Sequence, residues 1–292
     1  MRFSLAAALA PPEHYLPLAL LAEDLGYGGV CVPDGPLFPA STDASYPYSA
    51  DGSRFWSAGT PFVDPWVVIP AMAAVTERIS FATIVLKLPL RHPLLLAKTL
   101  ATCACLAPGR ITLGVGLSWL PEEFSWLGLD FASRGRRTDE SIAALRALLA
   151  PGEVEHHGEF FDFGPLTQEP TPAGGIPVQV GGMSQPALRR AARLGDGWIG
   201  TPTPVAELAD VLRTLHALRE QAGTAERPFV VTAMPSPQEG ASLDTYRRMA
   251  DLGVDEVVVA PWFAPRCPLG SEPLQTKRSG AGWFAENIMA RL

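Results

Sequence analysis

Short apolar runs rich in β-branched residues alternate along the chain with longer segments of helical periodicity. That alternation makes parallel strands joined by crossover helices. Eight such runs predict strands over 2–8, 29–32, 79–86, 111–115, 177–180, 197–200, 229–233 and 256–260. The periodic stretches predict helices over 15–25, 65–76, 93–106, 136–149, 186–194, 205–222 and 243–252, with an eighth over 282–291. The strands read as almost continuously apolar, as strands buried on both faces do.

Three junctions share one punctuation, AEDLGYGGVCV, AARLGDGWIG and MADLGVDEVVV, in which a helix ends at Leu and turns through Gly into a strand. Gly26, Gly195 and Gly253 fit the left-handed position that stops a helix. Repetition of this unit predicts a (β/α)8 TIM barrel in one domain over residues 1–292, rather than an open sheet. Two segments exceed the minimal barrel. A long loop after strand two, from Gly35 to Pro61, is rich in Pro, Ser, Tyr, Trp and Gly; a small hairpin before strand five, VEHHGEFFDFG, turns at Gly158. A loop of that length directly after a barrel strand stands at the mouth, where it can cover a ligand.

With 47% hydrophobic and 18% charged residues among 292, the chain has material for one large core. The net charge is −7, and 23 basic residues are scattered among 30 acidic ones, which argues against nucleic-acid or anionic-membrane partners. Cys31, Cys103, Cys105 and Cys267 show neither metal-ligand nor disulfide spacing, so reduced thiols in a cytoplasmic protein are expected. FSLAAALA after Met1-Arg2 imitates a signal peptide, but Pro11 and Pro12 cut the run short and a buried first strand is expected.

Candidate chemistry gathers at strand ends. CVPDG places Asp34 beyond strand two, where its carboxylate could orient a reacting group or merely cap a turn. GRITLGVGLSWLPEEF puts Gly114 and Gly116 where a flat ring could approach the backbone, with Trp119 and Glu122 overhanging. PVQVGGMSQPAL turns through Gly181, Gly182 and Met183 into a helix whose outward amides could cradle a phosphate, with the Thr201 hydroxyl beside them. There is no Ser-His-Asp signature, HExxH or Walker loop, and His156 and His157 face opposite sides of a predicted strand.

Taken with LPLRHPLLLAKTLATCACLAPGRITLGVGLSWLPEEFSWLGLDFASRGRRTDE and VGGMSQPALRRAARLGDGWIG, these pieces resemble the luciferase-like monooxygenase superfamily. Within it they are most similar to the branch of probable coenzyme F420-dependent oxidoreductases. The likeness runs from residue 1 to about 215 and includes the loop SYPYSADGSRFWSAGTPFVDPW. It implies a hydride moved between the deazaflavin F420 and a small-molecule substrate. Two alternatives stand beside it: an FMN monooxygenase using molecular oxygen, and a non-catalytic or degenerate cofactor-binding member. By resemblance Asp34 and Glu122 are catalytic candidates, while Asp34, Ile84, Val85, Gly116, Gly181, Gly182, Met183 and Thr201 hold the cofactor, and no metal is expected. A non-prolyl cis peptide is implied between Ile84 and Val85, and a homodimer through helices on one flank. Relatives usually read Asp-His after strand two and GGHS or GGSS after strand five. This chain reads Asp34-Gly35 and GGMS, so a frequent acid/base histidine is missing.

Overall fold

A computed structural model describes residues 1–35, 37–49, 51–262 and 272–292; Cys267 lies outside the described residues. Its strands are β1 (Arg2–Ala6), β2 (Gly29–Val32), β3 (Ser80–Thr83), β4 (Leu86–Lys87), β5 (Ile111–Gly116), β6 (Glu153–His157), β7 (Asp162–Thr167), β8 (Val178–Gly181), β9 (Gly197–Thr203), β10 (Val230–Pro235) and β11 (Glu256–Val259). Its α-helices are α1 (Tyr15–Asp24), α2 (Pro65–Ala74), α3 (Pro93–Leu106), α4 (Pro121–Trp126), α5 (Arg134–Leu148), α6 (Gln185–Leu194), α7 (Val205–Gln221), α8 (Leu243–Asp251) and α9 (Leu274–Asn287).

The sheet runs β3-β2-β1-β11-β10-β9-β8-β5-β4, and a β3–β5 pairing closes it. Every pairing around this ring is parallel. β3 and β4 are one strand interrupted at Ile84-Val85, whose peptide bond is cis as the resemblance implied. The result is the eight-stranded (β/α)8 barrel that the alternation predicted. All eight strand runs hold within a few residues, and β6 and β7 form the expected antiparallel hairpin.

Side chains alternate along each strand, so one set fills the space under the helices and the other fills the barrel. The outer set, including Leu5, Val30, Phe81, Leu113 and Trp198, belongs to the main core. The inner set is small: Ala6, Cys31 and Val258 form a separate cluster, with Ala8, Ala82, Ile84, Met234 and Ala260 against it. Polar residues fill the barrel nearer its N-terminal end, where Ser4 Oγ donates to Glu256 Oε1 at 2.5 Å and Thr232 Oγ1 donates to Gln179 Oε1 at 3.0 Å. The inner side chains toward the opposite end are those of the small apolar cluster.

Two expectations change. The last helix spans Leu274–Asn287 instead of 282–291. It begins directly after Pro273, a residue whose fixed φ suits a helix start and which the periodicity reading passed over. Gly26 and Gly253 do take positive φ, but Gly195 is extended (φ −86, ψ 153). There glycine answers a close approach instead, since a Cβ would stand 2.7 Å from Gly197 O and 2.9 Å from Ala191 O. His92 starts α3, with Nδ1 accepting from Leu94 N, while Cys103 and Cys105 fall on its buried and exposed faces.

Candidate active site

The mouth is formed where β2, β4, β5, β8 and β9 end. Val85 is its central apolar feature. A Cβ on Gly116 would lie 2.4 Å from Val85 Cγ2, and one on Gly181 would lie 2.8 Å from Val85 Cγ1. The valine therefore occupies space that any other residue at those two positions would need, and the glycines are required by it. Ile84 packs against the small inner cluster next to it. Ile84, Val85, Gly116, Gly181, Gly182, Met183 and Thr201 all remain partly open to solvent at this end of the barrel.

Beside Val85 runs a line of hydrogen-bond donors without acceptors. Gly182 N donates to Ile199 O, and Trp198 Nε1 donates to Gly182 O at 2.8 Å, which fixes the turn. Among the described residues, the amides of Met183 and Ser184 and the hydroxyl of Thr201 donate to no protein acceptor. They precede a ten-residue helix capped by Ser184, so the dipole and the bare amides favour an anion in the same place.

Asp34 is at the mouth, with 2% of its side chain exposed, and both its oxygens are occupied. Oδ2 accepts from Lys87 N at 3.0 Å and Oδ1 from Arg91 Nη2 at 3.0 Å. Arg91 Nη1 continues to Asp64 Oδ2 at 3.1 Å, and Asp64 Oδ1 caps α2 through Trp66 N. The carboxyl thus ties the ends of β2 and β4 to the start of α2. Burial pushes its pKa up, against the opposing pull of Arg91 and the Lys87 amide.

Glu122 sits in the first turn of α4, and its Oε2 is buried with no hydrogen-bond partner among the described residues. Its neighbour Glu123, which the sequence reading passed over, is fully buried: Oε1 accepts from Lys87 Nζ at 2.6 Å and Oε2 from Ser118 Oγ at 2.6 Å. Lys87, Arg91 and Asp64 were missed as well. Their partners are far apart in sequence, 36 residues for Lys87–Glu123 and 57 for Arg91–Asp34, and no local spacing links them.

The long loop brings aromatic rings to the same end. Tyr46 meets Tyr48, Phe55, Trp56 and Trp119 edge to face at 5.0–5.7 Å. Phe62 packs so closely on Gly35 that a Cβ there would stand 2.5 Å from its ring. Where the resemblance implied a histidine, this chain has Gly35 with the Phe62 ring against it.

An apolar shelf, a donor-lined turn and an aromatic cover at the C-terminal end of a (β/α)8 barrel are features of the place where such barrels carry small-molecule sites. The chain belongs to the luciferase-like monooxygenase family, which it matches over residues 3–250. It is 40% identical to an uncharacterized protein of Mycobacterium tuberculosis over the full length of both chains. It is 33% identical to the F420-dependent glucose-6-phosphate dehydrogenase of Rhodococcus erythropolis, over 74% of this chain and 60% of that one. A solved F420-dependent secondary alcohol dehydrogenase, in complex with an F420-acetone adduct, shares the fold with a TM-score of 0.78 at 15% identity, covering 99% of this chain and 98% of that chain. Among the described residues, no helix is long and apolar enough to cross a membrane.

Proposed function

We propose that this protein is an F420-dependent oxidoreductase that moves a hydride between the deazaflavin and a small organic substrate. The observation that carries the reading is the shelf of Val85 over bare Gly116 and Gly181, next to the unpaired donors at Met183, Ser184 and Thr201. A flat ring fits the shelf and a phosphate fits the donors, in a family whose members include F420-dependent dehydrogenases. When bound, the deazaflavin accepts or gives the hydride. Ile84 and Val85 would hold one face of its ring and leave the other face to substrate.

A proton accompanies the hydride, and Glu122 is assigned to carry it, because its buried Oε2 is otherwise without a partner. Asp34 is assigned to positioning, since both its oxygens are spent on Arg91 and the Lys87 amide. The cations flanking it are committed likewise, Lys87 to Glu123 and Arg91 to two carboxylates. This favours an uncharged substrate against the aromatic cover.

Thermal-shift titration tests the cofactor. At a hundred times its Kd, a ligand of the native state adds about 2.7 kcal/mol, or a rise of about 5 °C for a domain of this size. F420 should give that shift and FMN little or none. Stabilisation by FMN alone would transfer the site to flavin monooxygenase chemistry, and binding without turnover on any acceptor would make the protein a degenerate member.

A further inference from the structure

The loop between β2 and α2 crosses the mouth by a path its contacts define. It starts under Phe62 at Gly35 and passes through Trp56, whose ring lies 5.8 Å from Phe62 and 5.0 Å from Tyr46. It reaches Trp119 beyond β5, 5.4 Å from Tyr46, and ends over β8, where a Cβ on Gly182 would be 3.9 Å from Tyr48 Oη. No described residue of this loop is helix or strand; a local turn closed by Tyr46 N donating to Gly52 O and the ring contacts hold it.

Tyr48 is the residue of that loop that does not fit a purely apolar cover. It is half exposed, and among the described residues its hydroxyl has no hydrogen-bond partner. It stands beside the turn at Gly182 that leads to the unpaired Met183 and Ser184 amides. Donors from two separate parts of the chain thus converge with no acceptor between them, which is the arrangement an anion completes. Lys87 and Arg91 at the mouth are already held by carboxylates, so neither is free to pair with that anion.

We propose that the Tyr48 hydroxyl donates to the phosphate of the cofactor held at the β8 turn, and that this bond pins the loop over the mouth. The proposal rests on the cofactor reading above and goes beyond it. It makes the loop a cover whose closure is set by the phosphate, so that the substrate face forms only around a loaded cofactor. The simpler alternative is that Tyr48 serves only as one more ring against Tyr46, 5.5 Å away.

The test uses two probes that differ only in the phosphate, the deazaflavin riboside and its 5′-phosphate, with wild type and Tyr48→Phe. Affinities are read from fluorescence titration. A hydrogen bond to a charged group at a half-exposed site corresponds to about a tenfold change in Kd. Tyr48→Phe should weaken the 5′-phosphate by about that factor and leave the riboside unchanged. Arg54 is the only Lys or Arg between Gly35 and Phe62, so tryptic cleavage after it reports the loop. The 5′-phosphate should slow that cleavage in wild type and much less in the variant, while the riboside should protect neither. Equal affinities in the two proteins, or an equal loss for both probes, would overturn the role of Tyr48. Failure of wild type to bind either probe would instead remove the cofactor reading itself, an outcome separate from anything the variant does.

Discussion

Breaking the Lys87–Glu123 pair offers a sharp test of how the mouth is held together. Glu123 is fully buried and Lys87 has 12% of its side chain exposed, so Glu123→Gln leaves an ammonium ion with little water and no counter-charge. Removing one partner of a buried pair costs about 3–5 kcal/mol. The small exposure of Lys87 and the amide oxygen left behind argue for the lower end, about 3 kcal/mol, which lowers Tm by about 6 °C in a domain of this length. Scanning calorimetry with a urea titration measures both quantities. Lys87→Met combined with Glu123→Gln should recover at least half of the loss, because no buried charge remains and Ser118 Oγ keeps an acceptor. A single variant that loses less than about 1 kcal/mol, or a double variant whose losses simply add, would show that the pair is solvated and does not organise the strand ends.

Gly35→His, which places there the histidine the resemblance implied, should destabilise by about 1–3 kcal/mol through overpacking on Phe62, and Phe62→Ala in the same chain should relieve it; indifference to Phe62 would refute the steric account. Proton NMR should find His157 titrating above 6.5, because Asp162 hydrogen-bonds and attracts its charged form, and His14 and His92 below 6.5, chiefly through burial. The sign follows: the His157 contribution is complete below 6.5 and fades as pH rises through its raised pKa, so His157→Asn should flatten stability on that side of neutrality. Light scattering should find a homodimer. The Pro65–Ala74 helix carries no charge, and Val67 and Leu95 stand exposed on adjacent helices, so Val67→Glu with Leu95→Glu should yield a monomer if that flank is the interface.

The sequence alone determined the barrel, because its signals are local. Apolar runs of strand length, amphipathic stretches of helix length and the glycines at 26 and 253 each act within a few residues. Their regular recurrence leaves few topologies to choose from. The positions of Gly116, Gly181, Gly182 and Thr201 at strand ends followed from the same count. What the loop after β2 does, and which charges are already spent, only the tertiary structure decided. Asp34 reads as a free carboxylate until Arg91 and the Lys87 amide reach it from the end of β4 and the turn after it, and Glu123 looks like one more acid of a first helical turn until Lys87 reaches it. Gly35 looks like a lost histidine until the Phe62 ring is seen on top of it. Gly195 differs from Gly26 and Gly253 because it answers the close approach of the Ala191 and Gly197 carbonyls at its own turn, not a positive φ. Pairings between residues tens of positions apart depend on closure of the barrel, a global event that no window of sequence contains.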